Sequence, residues 1–357
     1  MARRHHHEHV LPALALLTLS AAASAQSSVF FPPEYERAFG RGSTALLGGN
    51  STRTQLIYAQ PFAPGTVVLG IRFRPTTAIL DRAAFTADMA IRCSSGPLVP
   101  GALSSTFANN VGSDETVVLP QQTVNIPAFP ANRGTGQLAE VLFATPFIYG
   151  LNGNTNLVVD IQVFSRSAGA NWSTDRAFAS TNGRAATHGI GCGAATINST
   201  STGGTYVAGS TVDITLAGAP ANSIALLLPT VDMKEFAPGA LLPLDLSLIG
   251  MAPGCTLLVN PVAGLFGVPI DVNGAASFSL PIPGSFTQAG LGFQWMYLVP
   301  PTVTNPLGFE ITASRTVWIG PEVCTPFYQY VWDLSNANAT TGSSTTNSIP
   351  VAELIIQ

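Results

Sequence analysis

Alternation of apolar and polar residues at a period of two marks a half-buried strand. Leu69, Ile71 and Phe73 fall on one face of such a run, with Arg72 and Arg74 on the other. Val159, Ile161 and Val163 share a second face, opposite Asp160 and Gln162. Apolar, β-branched runs predict further strands at 54–58, 85–93, 116–126 and 139–143, with the two alternating runs spanning 67–74 and 156–164. Turn residues separate them, as in Pro61-Phe62-Ala63-Pro64-Gly65 and Leu151-Asn152-Gly153-Asn154. A second series follows at 205–207, 211–216, 223–228, 244–249, 255–260, 275–280, 291–299 and 309–319. Asn273-Gly274 precedes 275–280 and predicts a type I′ hairpin, because both central residues of that turn take positive φ.

These patterns predict an all-β chain of two β-sandwich domains, jelly-roll or Ig-like, with a C-terminal extension. The expected divisions are 26–185 for the N-terminal sandwich, 186–204 for a Gly/Ser/Thr-rich hinge, 205–320 for the Ig-like sandwich and 321–357 for a tail. Composition agrees. Only 10% of residues are charged, against roughly 25% in an average soluble domain, while Gly (34) and Pro (27) are plentiful. Long helices need Glu, Lys and Arg on their exposed faces, and this chain has few.

Residues 1–25 read as a secretory signal peptide. Arg3 and Arg4 precede an apolar run from Val10 to Ala23, and Ala23-Ser24-Ala25 supplies small residues for cleavage. The run is shorter than the roughly 20 residues of a membrane span. His5, His6, His7 and His9 lie in this segment, so His188 is the one histidine of the expected mature chain. No later span is expected, which places the mature protein outside the cell or at its surface. A formal charge of −4, a pI near 5.7 and a single lysine, Lys234, argue against nucleic acid as a partner.

Part of the second series resembles a β-sandwich module found at the C-terminal ends of secreted bacterial proteins of unknown function. The resemblance rests on Gly191-Cys192-Gly193, Leu242-Pro243-Leu244-Asp245-Leu246, Pro253-Gly254-Cys255-Thr256-Leu257, Asn273-Gly274, Leu280-Pro281-Ile282-Pro283 and Phe293-Gln294-Trp295. It covers about a third of the chain, residues 190–320, and the tail after Gly320 departs from it. It implies export and a small sandwich, and it transfers no site residues. Four cysteines outside the signal permit three disulfide connectivities. The resemblance implies Cys192 with Cys255, which leaves Cys93 and Cys324 for each other. Cys93–Cys192 with Cys255–Cys324 is the competing arrangement.

Signatures of catalysis are missing from the sequence. There is no Gly-x-Ser-x-Gly elbow, and His188 falls in the expected hinge. No C-x-x-C pair points to zinc, and Asp333-Leu334-Ser335-Asn336 lacks the spacing of a calcium loop. No cofactor is expected. Asp88, Asp160, Asp245, Asp271 and Glu310 lie on or beside expected strands and read first as solvent-facing. Sequons occur at Asn50, Asn171, Asn198 and Asn338. The remaining candidate is the row Tyr328, Tyr330 and Trp332, which would share one face of a strand. Exposed, it would form a platform for sugar rings; packed, it would belong to a core. The expected function is therefore a non-catalytic structural, adhesive or glycan-binding protein with extracellular polysaccharide or cell-surface components as partners. The alternative is a hydrolase acting on polysaccharide through a carboxylate pair on the N-terminal sandwich.

Overall fold

The alternating runs become strands that pair across long sequence separations. A computed structural model describes residues 26–40, 42–76, 81–167, 172–286, 290–321, 328–345 and 348–357. In chain order the first strands are β1 (Ser27–Phe31), β2 (Gly42–Thr44), β3 (Thr52–Ala59), β4 (Val67–Phe73), β5 (Phe85–Gly96), β6 (Thr116–Ile126), β7 (Ala139–Ile148), β8 (Asn156–Arg166) and β9 (Thr174–Phe178). Next come β10 (Arg184–His188), β11 (Thr196–Ser201), β12 (Thr211–Ala217) and β13 (Ile224–Thr230). Four short strands follow, β14 (Glu235–Ala237), β15 (Ala240–Leu241), β16 (Leu244–Asp245) and β17 (Thr256–Leu257). The last are β18 (Phe266–Pro269), β19 (Ala276–Pro281), β20 (Gly290–Leu298), β21 (Phe309–Trp318), β22 (Tyr328–Asp333), β23 (Ser343–Thr345), β24 (Ser348–Pro350) and β25 (Ala352–Ile356). Every strand pairing among the described residues is antiparallel, apart from one isolated bridge between Val207 and Gly320.

Two sheets supply the first core. One has the order β23-β22-β3-β8-β5-β6 and the other β1-β25-β4-β7. Their inward residues, among them Leu56, Ile91, Val159 and Ile161 from the first and Ile71, Phe73, Val141 and Leu354 from the second, form one buried cluster. A bulge in β4 between Val68 and Gly70 shifts the alternation. Val68, rather than Leu69, therefore joins Ile71 and Phe73 in the core. A second core lies between the sheet β10-β21-β20-β13-β18 and the sheet β11-β12-β19. It is built on Val212, Ile214, Leu216, Leu227, Trp295 and Tyr297.

Two of the expected divisions of the chain, and one expected hairpin, need correction. Residues beyond 320 are not a tail. β22 pairs with β3, β24 with β9, and β25 lies between β1 and β4. Val351, Leu354 and Ile355 are fully buried, so the chain end completes the first core. Nor are residues 186–204 a hinge, because β10 pairs with β21 and β11 with β12. A turn forms at Asn273-Gly274, but not the expected type I′: Gly274 has φ 74° while Asn273 is not in the positive-φ region, and Asp271 Oδ1 accepts from the amides of Asn273 and Ala275. The strands on either side of it, however, enter different sheets, β18 beside β13 and β19 beside β12. It is a crossover rather than a hairpin.

The two cores meet along a seam. Tyr35 stacks on Trp318 with ring centroids 4.2 Å apart, and Trp318 Nε1 donates to the carbonyl of Phe39 at 2.7 Å. Lys234 pairs with Glu36 at 2.7 Å, and Arg37 pairs with Asp232. Met233, Leu242 and Met251 pack into the first core although they lie in the second half of the chain. Cys192 and Cys255 form a disulfide with Cα atoms 4.6 Å apart. Cys93 is a free thiol buried in β5, so its expected bridge does not form. Its side chain belongs to the first core, where burial, reinforced by Asp160 and Asp114, pushes its pKa up. Cys324 lies outside the described residues, as do residues 1–25, the expected signal peptide, and Asn171. No helix among the described residues is long and apolar enough to cross a membrane.

Candidate binding site

The aromatic row is a packed face. Cross-strand register sets Tyr328 opposite Tyr58, Tyr330 opposite Leu56 and Trp332 opposite Thr54. That face looks into the first core. Tyr330 is only 3% exposed and stacks on Trp332 at 4.7 Å, while Tyr328 packs edge-on against Phe31 and Tyr58. The three rings therefore do not make the open platform that sugar stacking would need.

The candidate carboxylates are dispersed and occupied. Asp160 is 2% exposed, not solvent-facing. It accepts from Arg53 Nη2 and from Gln55 Nε2, each at 2.7 Å. Arg53 in turn donates to the Ala339 carbonyl and lies over the Phe107 ring, so this buried charge is paired and its partner covered. Asp88 accepts from Gln121 and Glu310 from the Tyr297 hydroxyl. Asp245 and Asp271 are exposed and cap local turns; the Ser247 hydroxyl and then its amide lower the pKa of Asp245, and the amides of Ala275 and Asn273 lower that of Asp271. No two of these five share a hydrogen-bond partner among the described residues. Asp333 likewise caps a turn, accepting from Ser335 and Asn336. No cluster of three or more metal-ligating side chains occurs among the described residues.

A carboxylate pair that sequence reading missed lies across the sheet β1-β25-β4-β7. Glu140 on β7 and Glu353 on β25 both bind Arg72 of β4, at 2.6 and 3.1 Å. Ser28 of β1 donates to the other oxygen of Glu353. The guanidinium occupies the space between the two carboxylates. The row thus crosses four strands and fixes their register.

His188 sits in β10 and is 1% exposed, so it is neither a linker residue nor reachable by a substrate. Its ring lies 4.6 Å from Phe39, and neither ring nitrogen has a hydrogen-bond partner among the described residues. Burial, with the charges of Arg74, Arg315 and Arg184, pulls its pKa down to about 3. Close by, Arg74 and Asp175 form a fully buried ion pair, and Arg74 also donates to the carbonyls of Tyr35 and Ala38.

Beside this buried pair the surface opens into a cleft lined by Gly42, Ser43, Arg176, Phe178, Ser180 and Arg184. β9 positions Arg176 and Phe178 two residues apart, hence on one face of the strand. The Arg176 guanidinium lies 4.2 Å above the Phe178 ring, and that of Arg184 lies 5.0 Å from the same ring. Arg184 also donates to the Tyr35 hydroxyl at 2.6 Å. Gly42 of β2 faces them. A Cβ there would meet Phe178 Cε2 at 2.2 Å and Arg176 Nε at 2.9 Å, so only glycine lets the two side chains lie this close to β2. In the sequence the only trace of the cleft is the spacing Arg176-x-Phe178, followed by a polar turn and Arg184.

No family model matches the chain, and no curated protein matches it. A solved structure, a T=1 Penaeus vannamei nodavirus particle determined by cryo-EM, aligns with 11% identity over 87% of this chain and 82% of that one. Its TM-score is 0.10, which carries no inference about fold or function.

Proposed function

We propose that the protein is exported and acts outside the cell or at its surface as a non-catalytic, glycan-binding or adhesive protein. The signal-like order of residues 1–25 supports export. The two sheet pairs are read as two sandwich domains, a jelly roll completed by the chain end and an Ig-like unit, which present loops and clefts on a rigid frame. The observation that carries the binding reading is the contrast between the groups suited to catalysis and the open cleft. Acids and a base are spent on structure: Asp160 on Arg53, Glu140 and Glu353 on Arg72, and His188 beneath Phe39. The cleft at Ser43, Arg176 and Phe178, by contrast, faces solvent with a cation and polar hydroxyls. A hydrolase would need room between its carboxylates for a glycosidic bond or a water. Arg72 fills that room between Glu140 and Glu353.

The test incubates the mature protein with a panel of insoluble polysaccharides. Loss of protein from the supernatant, with no reducing ends released, is the expected result. Release of reducing ends that stops in a Glu353→Gln variant would turn the reading to hydrolysis.

A further inference from the structure

Arg176 is the unusual member of the cleft. Its guanidinium has no carboxylate and no hydrogen-bonded acceptor among the described residues. Arg72, Arg74 and Arg53 each hold an acid. Its neighbour in sequence, Asp175, is already shared between Arg74, the Gly40 amide and the Arg176 backbone amide. Arg176 is nevertheless held in place. Phe178 lies against its flat face, and its Nε is buried against Gly42. A planar fork whose ordering is already complete loses little entropy when it takes a ligand. Ser43 and Ser180 bring hydroxyls to the same cleft, and no acidic side chain among the described residues lines it. Arg184 flanks the cleft, its guanidinium donating to the Tyr35 hydroxyl.

We infer that this cleft binds an anionic substituent of a polysaccharide, a carboxylate or a sulfate ester, with the Arg176 fork as its main ligand. The inference rests on the glycan-binding reading above and names the class of glycan. Carboxylate and sulfate both offer paired oxygens to a guanidinium, which is the geometry Arg recognises best. The overall charge of −4 would repel a polyanion at long range. Screening confines that repulsion to about 8 Å at physiological salt, so the local arrangement decides.

Matched polymers separate the possibilities. Polygalacturonate and its methyl ester differ in the carboxylate; dextran sulfate and dextran differ in the sulfate. The full mature protein should be retained by at least one acidic member and pass through its neutral counterpart. Which acidic member it prefers identifies the substituent. Arg176→Gln should weaken that retention by roughly tenfold or more, as expected for loss of a charge-assisted contact. Arg176→Lys should fall between the two, since it keeps the charge and loses the fork. Ser43 is exposed on β2, so Ser43→Glu can add a repelling charge without touching the core. It should abolish acidic retention at an unchanged melting temperature, which keeps the test decisive even if Arg176→Gln unfolds. Equal retention of acidic and neutral members, unaltered by Ser43→Glu, would overturn the anionic cleft and leave glycan binding standing. Passage through all four polymers would overturn both.

Discussion

Single residues show how far the same side chain can change role with its surroundings. Tyr328, Tyr330 and Trp332 alternate correctly for one strand face, and the sequence does not say which side of a sheet that face meets. The partner strand decides it, because Leu56 and Tyr58 bring the rings into the first core. Tyr330→Ala should therefore cost about 3–5 kcal/mol in urea denaturation, with polysaccharide retention of the folded protein unchanged. His188 teaches the same lesson from the other side. Glycines at 189, 191 and 193 make its neighbourhood look like a linker, yet its own side chain is buried beside Phe39 and within the fields of Arg74, Arg315 and Arg184. Its folded pKa of about 3 lies below the ordinary 6.5, so the unfolded chain takes up the proton first as pH falls. The stability tied to neutral His188 is complete above about pH 6.5 and is lost progressively down toward pH 3. The slope is at most about 1.4 kcal/mol per pH unit for one proton. His188→Phe should flatten the fall in stability between pH 6.5 and 5, measured by denaturation at each pH. An unchanged slope would place the imidazole in water.

Strands were legible at most long runs, whereas the expected strands 244–249 and 255–260 shrink to β16 and β17, with a 3-10 turn over Leu246–Ile249. The reading 116–126 coincides with β6, and β4, β8, β12 and β20 lie within a residue or two of their expected spans. Pairing was not legible, since it depends on contacts between distant segments. Val351-Ala352-Glu353-Leu354-Ile355-Ile356 is short enough to look like an end, but a continuous apolar run of that length is also what a strand buried on both faces looks like. Glu353 inside it marks the ladder to Arg72 and Ser28. β25 is thus a central strand whose loss would leave β1 without a strand partner and β4 paired only with β7. Leu354→Ala is expected to cost about 2–5 kcal/mol, as for other buried leucines, and deleting residues 352–357 should prevent folding of the first core. Circular dichroism and limited proteolysis of the shortened chain would show it. A shortened chain that melts like the full one would mean that the end is a tail after all.

Across the whole molecule, the first core is assembled from both ends of the chain, and the second sheet pair lies between them in sequence. The boundary expected near 320 followed the point where the resemblance ends, whereas the strands beyond it pair with β3, β9, β1 and β4 of the first half. The candidate cleft was illegible for a related reason. Gly42 and Arg176 are 134 residues apart, and only the pairing of β2 with β9 brings them together. That placement carries the functional account, and hydrogen exchange of the protein with and without a polysaccharide that retains it tests the placement most directly. Added protection should concentrate in Gly42–Thr44 and Thr174–Phe178, the two strands that form the cleft. Protection centred instead on the Arg72, Glu140 and Glu353 row, with the cleft unchanged, would contradict the account.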